Sequence, residues 1–361
     1  MKKKKVLIAM SGGIDSTVAA MLLLEQGYEL VGVTYRTFDQ ISRACLEKEK
    51  GCCSVDSLFE AKRMAQELGF PHHILDIREE FKSTVIANFI GEYLRGRTPN
   101  PCVICNSVIK WGKLMQTADE MGCDYIATGH YARIGHQTER WYLRKGVDTT
   151  KDQTYFLWTL NQENLSRTIF PLGELTKPQV RKIAFDHGYE KLSQKGESQE
   201  ICFIPDNDYR SFLAEQVENY AEKYGPGIFV NTRGEKLGEH KGFPNYTIGQ
   251  RKGLGIALGQ PMFVVAIHPE SNTVVLGTKE ELQGKTCYIS RLNWMKYDQI
   301  ADGFEITAKI RYRNEGGKAL LYPEGERIRM VFQDPMDSIT PGQSAVFYEG
   351  DDVVGGGIIE S

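Results

Sequence analysis

The chain has 361 residues, 41% of them hydrophobic, 25% charged and 10% aromatic, with a formal net charge of −3 and a sequence pI near 6.2. Such a length calls for two or three domains of ~100–200 residues, and the composition excludes a disordered or fibrous chain. The charge excludes a broadly basic nucleic-acid binder, so any such surface must be local.

In chain order, the opening MKKKKVLIAMSGG holds an apolar run from only Val6 to Met10. A secretory signal needs ~7–15 apolar residues and a membrane span ~20, so a soluble, cytoplasmic chain is expected. Residues 6–10 instead predict a short buried parallel strand. Val18, Leu22 and Leu23 follow at helical spacing, with Gly27 as the C-cap. Residues 30–35 read as a second strand. Leu58, Ala61, Met64, Ala65 and Leu68 form a helical face that Gly69 ends. Strand 73–75, helix 79–94 and strand 125–128 follow. This alternation predicts a doubly wound parallel sheet. After about residue 208 the pattern changes, and Gly225-Pro226-Gly227 marks one transition. From Ile228 on, short runs at 263–267, 273–276, 308–312, 327–332 and 344–348 predict small β-barrels. The expected domains are 1–208, α/β; 209–281, a small β-rich unit; and 282–361, a C-terminal β-barrel.

Ser11-Gly12-Gly13-Ile14-Asp15-Ser16 follows the first strand and opens the first helix. Glycines let a backbone approach a phosphate, and a helix N-terminus offers unpaired N–H groups and a positive dipole end. Ser11 and Ser16 add hydroxyl donors. The string is neither a Walker A loop nor a G-x-G-x-x-G fingerprint. The plain alternative is a tight turn whose glycines serve packing. The string matches the SGGxDS motif of the PP-loop ATP pyrophosphatases. That resemblance implies a Rossmann-like domain, a loop gripping the pyrophosphate of ATP, cleavage of the α–β bond, and Asp15 helping to hold magnesium.

Eight cysteines in a chain this long do not suggest a disulfide scaffold, and in a reducing compartment they point to chemistry or metal. Thr98-Pro99-Asn100-Pro101-Cys102-Val103-Ile104-Cys105-Asn106 predicts a loop, because two prolines exclude a helix interior. A helix is expected from about Ser107. Cys105 then sits just before a helix N-terminus, which lowers a thiol pKa. It reads as a nucleophile or a metal ligand. Cys202, by periodicity alone, is a buried structural cysteine. Tetrahedral zinc competes, with the C-x-x-C pair as half a site and Cys202 a third ligand. No fourth ligand is paired with them by spacing, and adjacent Cys52 and Cys53 are poorly spaced for one ion.

These strings, with Thr128-Gly129-His130-Tyr131, Lys151-Asp152-Gln153 and the run from Tyr246 to Gly255, YTIGQRKGLG, resemble the bacterial tRNA-specific 2-thiouridylases, the MnmA family. The resemblance covers essentially the whole chain. It implies ATP-dependent adenylation of the C2 oxygen of a wobble uridine in tRNA, followed by sulfur transfer. The sulfur would come from a cysteine desulfurase or a relay protein. Cys202 resembles the persulfide carrier, and Cys105 the partner nucleophile that forms a disulfide with it. Ala9, Met10, Ser11, Gly12, Gly13, Ile14, Asp15, Ser16, Tyr35 and Gly129 match nucleotide-binding positions. Asn100, Pro101 and Cys102 match a stretch facing the target base. His130, Lys151, Asp152, Gln153, Arg311, Tyr312 and Gln343 match tRNA-contact positions. From the residues themselves, Lys309, Arg311 and Arg313 alternate, so in a strand all three share one face, where phosphate contacts are expected.

Many family members carry Asp where this chain has Cys102. The change gives three cysteines, as in related tRNA thiolases whose Cys102, Cys105 and Cys202 counterparts hold a [4Fe–4S] cluster. A cluster-bound sulfide is therefore an alternative for the sulfur step. The segment 188–201 is expected to be a mobile loop that brings Cys202 to Cys105. Two rivals remain: another PP-loop tRNA-modifying ligase, which needs ATP adenylation but not three cysteines, and a noncatalytic tRNA- or zinc-binding module.

Overall fold

A computed structural model describes residues 3–38, 55–194, 196, 201–204, 207–257 and 259–360. The first strand, β1 (Lys5–Ala9), is followed by the helix Ile14–Glu25, β2 (Glu29–Arg36), the helix Val55–Glu67 and β3 (His72–Asp76). Two long helical runs, 78–93 and 101–120, precede β4 (Tyr125–Ala127). A hairpin, β5 (Ala132–Gln137) with β6 (Arg140–Lys145), leads on to β7 (Thr168–Ile169). Five of these strands form a parallel sheet in the order β3-β2-β1-β4-β7. Val6, Leu7 and Ile8 are wholly buried, as a central strand covered on both faces requires. Strand order reverses between β1 and β4. In doubly wound sheets the ligand crevice opens at that switch point, beyond the strands' C-terminal ends.

The second module is a four-stranded sheet of β8 (Gly227–Asn231), β9 (Lys236–His240), β10 (Phe263–His268) and β11 (Thr273–Gly277). The third comprises β12 (Gln283–Trp294), β13 (Phe304–Lys309), β14 (Gly317–Glu324), β15 (Arg327–Asp337), β16 (Ser344–Glu349) and β17 (Asp352–Ile359). They run β12-β15-β14-β13-β16-β17, and pairing of β12 with β17 closes the barrel. Closure removes the exposed edges that would otherwise invite aggregation. The β5–β6 hairpin of the first module attaches to this barrel where Arg144 pairs with Asp352. Tyr155 and Trp158 of the first module are buried in one apolar cluster with Val346, Tyr348 and Val353 of the barrel.

Two sequence expectations are corrected. The helix does not wait for Ser107: it begins at Pro101, capped by Asn100, whose Oδ1 accepts from Val103 N. Proline is excluded from a helix interior but suits its first position, where its missing N–H would have no partner anyway. The strand expected at 308–312 ends at Lys309, so Lys309, Arg311 and Arg313 do not line one strand face. Cys45, Cys52 and Cys53 lie outside the described residues, as do 195 and 197–200 of the segment 188–201, whose start is the helix Glu190–Gln194.

Candidate nucleotide and thiol site

The loop from Met10 to Gly13 leaves the end of β1 at the switch point and feeds the helix Ile14–Glu25. Its shape is fixed internally. Ser11 N donates to Ser16 Oγ at 3.2 Å, and Ser16 Oγ donates to Gly13 O at 3.1 Å. Gly12 has φ +70, and a Cβ there would stand 2.4 Å from Ser57 O, so only glycine fits. Gly129, just past β4, is as tightly placed: its Cβ would lie 2.8 Å from Asp15 C and Ser16 N. Ala9 to Ser16 and Gly129 are thus one assembly. Tyr35 ends up near the C-terminal end of β2 with its ring in the core. Its hydroxyl bonds Thr117 Oγ1 at 3.2 Å, and burial raises its pKa to about 12.

Asp15 is held from two sides. Lys177 Nζ donates to both of its oxygens, at 2.7 and 2.8 Å, and Tyr131 OH donates at 2.8 Å. The Lys177 side chain is only 7% exposed, whereas Asp15 keeps 33% of its side chain open to water, so the carboxylate stays accessible from one side. Sequence reasoning missed Lys177. It is the first residue of the helix Lys177–Asp186, and a cation at a helix N-terminus opposes the dipole, which was the available signal.

Cys102 is exposed on the first turn of its helix, whereas Cys105 is half-buried at the start of a π-helical stretch, Cys105–Lys113. The expected lowering of the Cys105 pKa is corrected: burial pushes the thiol up, the nearby Lys110 charge offsets part of that, and Cys102 adds to it. The helix dipole cannot help a residue already a full turn inside. A π-helix closes i→i+5 bonds, so Lys110 lies one turn below Cys105. Lys110 Nζ is 3.3 Å from His130 Nε2, and His130 Nδ1 is 2.8 Å from Thr128 Oγ1. An ammonium can only donate, so His130 accepts at Nε2 and donates from Nδ1. Burial holds the His130 pKa well below its ordinary value and the ring neutral. The His130 ring lies against Trp111 and Phe170.

Cys202 is half-buried and packs against the same apolar cluster as Cys105, around Phe81, Phe89 and Phe203. Among the described residues, no three His, Cys, Asp or Glu side chains form a group that could hold a metal ion. Cys102, Cys105 and Cys202, as placed, are not such a group.

The residues matched to tRNA contacts gather where the first module meets the barrel, mostly in structural bonds. Asp152 is buried and accepts from Thr154 Oγ1 and Gly146 N, with its pKa raised by burial. Gln153 Oε1 accepts from Tyr131 N at 3.0 Å. Neighbouring Lys151 is half-buried. Arg311 turns inward, donating to Ile248 O at 2.8 Å and to Thr340 Oγ1 at 2.5 Å. Tyr312 packs on Phe156 with ring centroids 4.5 Å apart. Gln343 Nε2 donates to the carbonyls of Thr98 and Pro99. Asn100 and buried Pro101 start the helix that carries both cysteines.

Residues 4–206 match the family model described as tRNA methyl transferase HUP domain. Residues 211–278 match the tRNA methyl transferase PRC-barrel domain, and 284–359 the aminomethyltransferase β-barrel domain. A protein of Amoebophilus asiaticus named tRNA-specific 2-thiouridylase MnmA is 52% identical over 362 residues, covering 100% of this chain and 96% of that protein. One of the same name from Cytophaga hutchinsonii is 50% identical over 361 residues, covering 100% and 98%. Another from Salinibacter ruber is 48% identical over 362 residues, covering 99% and 94%.

Proposed function

The chain belongs to the tRNA-specific 2-thiouridylase family, and from that membership we propose that it activates a tRNA uridine with ATP and replaces the uridine C2 oxygen with sulfur. The observation that carries the reading is the Thr128–Tyr131 tetrapeptide. Gly129 presses on the phosphate loop, Tyr131 binds Asp15, and His130 holds the lysine beside Cys105. One short segment thus ties a nucleotide loop to a thiol, which suits a reaction that needs both in sequence.

In this reading the loop amides and the helix N-terminus hold the pyrophosphate of ATP. The uridine O2 attacks the α-phosphorus, the O2–P bond forms, and pyrophosphate leaves. The terminal sulfur of a Cys202 persulfide then attacks C2, and AMP departs with the former oxygen. Cys105 attacks Cys202 Sγ, leaving the sulfur on the base and a Cys105–Cys202 disulfide, which a cellular thiol reduces. Magnesium is commonly bound by one or two carboxylates plus substrate phosphates, and Asp15 is the carboxylate at this loop that would share it, neutralising phosphate charge. Lys177 keeps Asp15 oriented. A cysteine desulfurase or a relay protein in the cytoplasm supplies the sulfur.

Purified protein given ATP, unmodified tRNA and a persulfide donor is expected to yield pyrophosphate, AMP and 2-thiouridine, the last read by nucleoside mass spectrometry. Cys105→Ser and Cys202→Ser are expected to keep pyrophosphate release and lose 2-thiouridine. Undiminished thiolation by either variant would remove that cysteine from the mechanism.

A further inference from the structure

The turn of the barrel at 341–343 grips the segment that opens the cysteine helix. Thr98 N donates to Pro341 O at 2.9 Å. Gln343 Nε2 donates to Thr98 O at 3.1 Å and to Pro99 O at 2.8 Å. Arg97 donates to Ile359 O at 3.3 Å and to Glu92 Oε2 at 2.7 Å, fastening the residue before. Gly342 has φ +90, and a Cβ there would stand 2.7 Å from Thr98 O, so no side chain separates the two backbones.

Pro101 and Val103 are buried at the helix start, and the bonds from the barrel add to that packing. A cavity of about 250 Å³ opens between the helix start and the barrel, bordered by Asn100, Val103, Ser107, Asn293, Gly342 and Ile358. Beside that space, the Pro341 and Gln343 bonds tie Thr98 and Pro99, just ahead of the Asn100 cap, to the barrel. A glutamine amide has two N–H donors, and both of Gln343's are engaged by the carbonyls of Thr98 and Pro99. A tRNA phosphate oxygen would have to compete with those carbonyls for the Gln343 amide.

We propose that Gln343 is a positioning residue of the thiolation site, a bracket by which the C-terminal barrel sets the start of the helix carrying Cys102 and Cys105. The bracket couples modules far apart in sequence. The inference rests on the thiolation reading only where activity is measured; the bracket itself is read from the thiols of tRNA-free protein.

The test compares wild type with Gln343→Met, which keeps the length and removes both donors, and with Gln343→His, whose ring N–H reaches about as far. Peptide mapping reports alkylation of Cys105 by iodoacetamide without tRNA, and steady-state thiolation gives kcat and KM for tRNA. Gln343→Met is expected to alkylate at Cys105 ~10-fold faster and to lose ~10-fold in kcat, with KM within about twofold, because two hydrogen bonds holding the helix start are gone. Gln343→His is expected to recover part of both. Amide exchange at Val346 and Phe347, inside the barrel, must stay slow in Gln343→Met. If that variant instead unfolds, the same alkylation and kcat comparison on Gln343→His decides the matter. Unchanged Cys105 alkylation with a raised KM would overturn the bracket and make Gln343 a tRNA contact. Faster alkylation in a protein whose wild type makes no 2-thiouridine would uphold the bracket and remove the thiolation reading.

Discussion

Cys105 is subject to opposing influences. Burial disfavours its thiolate, and Lys110, one π-turn below, favours it. Lys110 in turn is fixed by His130, which burial keeps neutral and therefore able to accept. Removing the ammonium leaves burial unopposed, so the thiol pKa must rise and the thiolate fraction at neutral pH must fall. For Lys110→Met, the alkylation rate of Cys105 at pH 7.5 is expected to drop ~10-fold, the effect of ~1 pKa unit from one nearby charge. The rising limb of its pH profile should move to higher pH. Lys110→Arg, which keeps the charge, should stay near wild type. An unshifted profile in Lys110→Met would show that the lysine does not act on the thiol.

At the scale of elements, Gly129 is where two pieces of backbone meet. A methyl group there would lie 2.8 Å from Asp15 C and Ser16 N, and backbone yields less readily than a side chain. Gly129→Ala is expected to displace the start of the helix Ile14–Glu25 and cut tRNA-dependent pyrophosphate release ~100-fold, as a shift of ~1 Å can. Unchanged pyrophosphate release would mean that the loop tolerates the shift. Much of this framework was legible in the sequence. The strand, the Gly12-Gly13 turn and the helix announce themselves through a short apolar run and residues with special backbone freedom. The start of the cysteine helix was not, because the two prolines around Asn100 look like helix breakers until one of them is given the first helical position. The sign of the Cys105 shift failed with it. Lys177 escaped notice because its carboxylate partner, Asp15, is remote in sequence. The β5–β6 hairpin was invisible to pattern reading, since Arg133, His136, Arg140 and Arg144 interrupt its apolar residues.

At the scale of the molecule, the first and third modules share a core although the middle module, residues 211–278, lies between them along the chain. Trp158 is the clearest link: it is 3% exposed, its indole N–H donates to Ser344 Oγ at 2.9 Å, and its carbonyl accepts from Asn293 Nδ2 at 2.6 Å. The middle module keeps its own cluster around Phe229, Phe243 and Tyr246. A common core implies common unfolding, because a cavity made in it weakens every element that borders it. Trp158→Ala is expected to cost ~3–5 kcal/mol, the usual range for a buried aromatic truncated to alanine. That loss should appear equally in native-state amide exchange at Ile126, in the parallel sheet, and at Val346, in the barrel. Phe229, in the middle module, should be affected less. If only Val346 exchanges faster, the modules open independently, and a barrel that opens by itself would leave the bracket on Thr98 and Pro99 intermittent. Equal loss would mean that the cysteine helix keeps its barrel support for as long as the parallel sheet is folded.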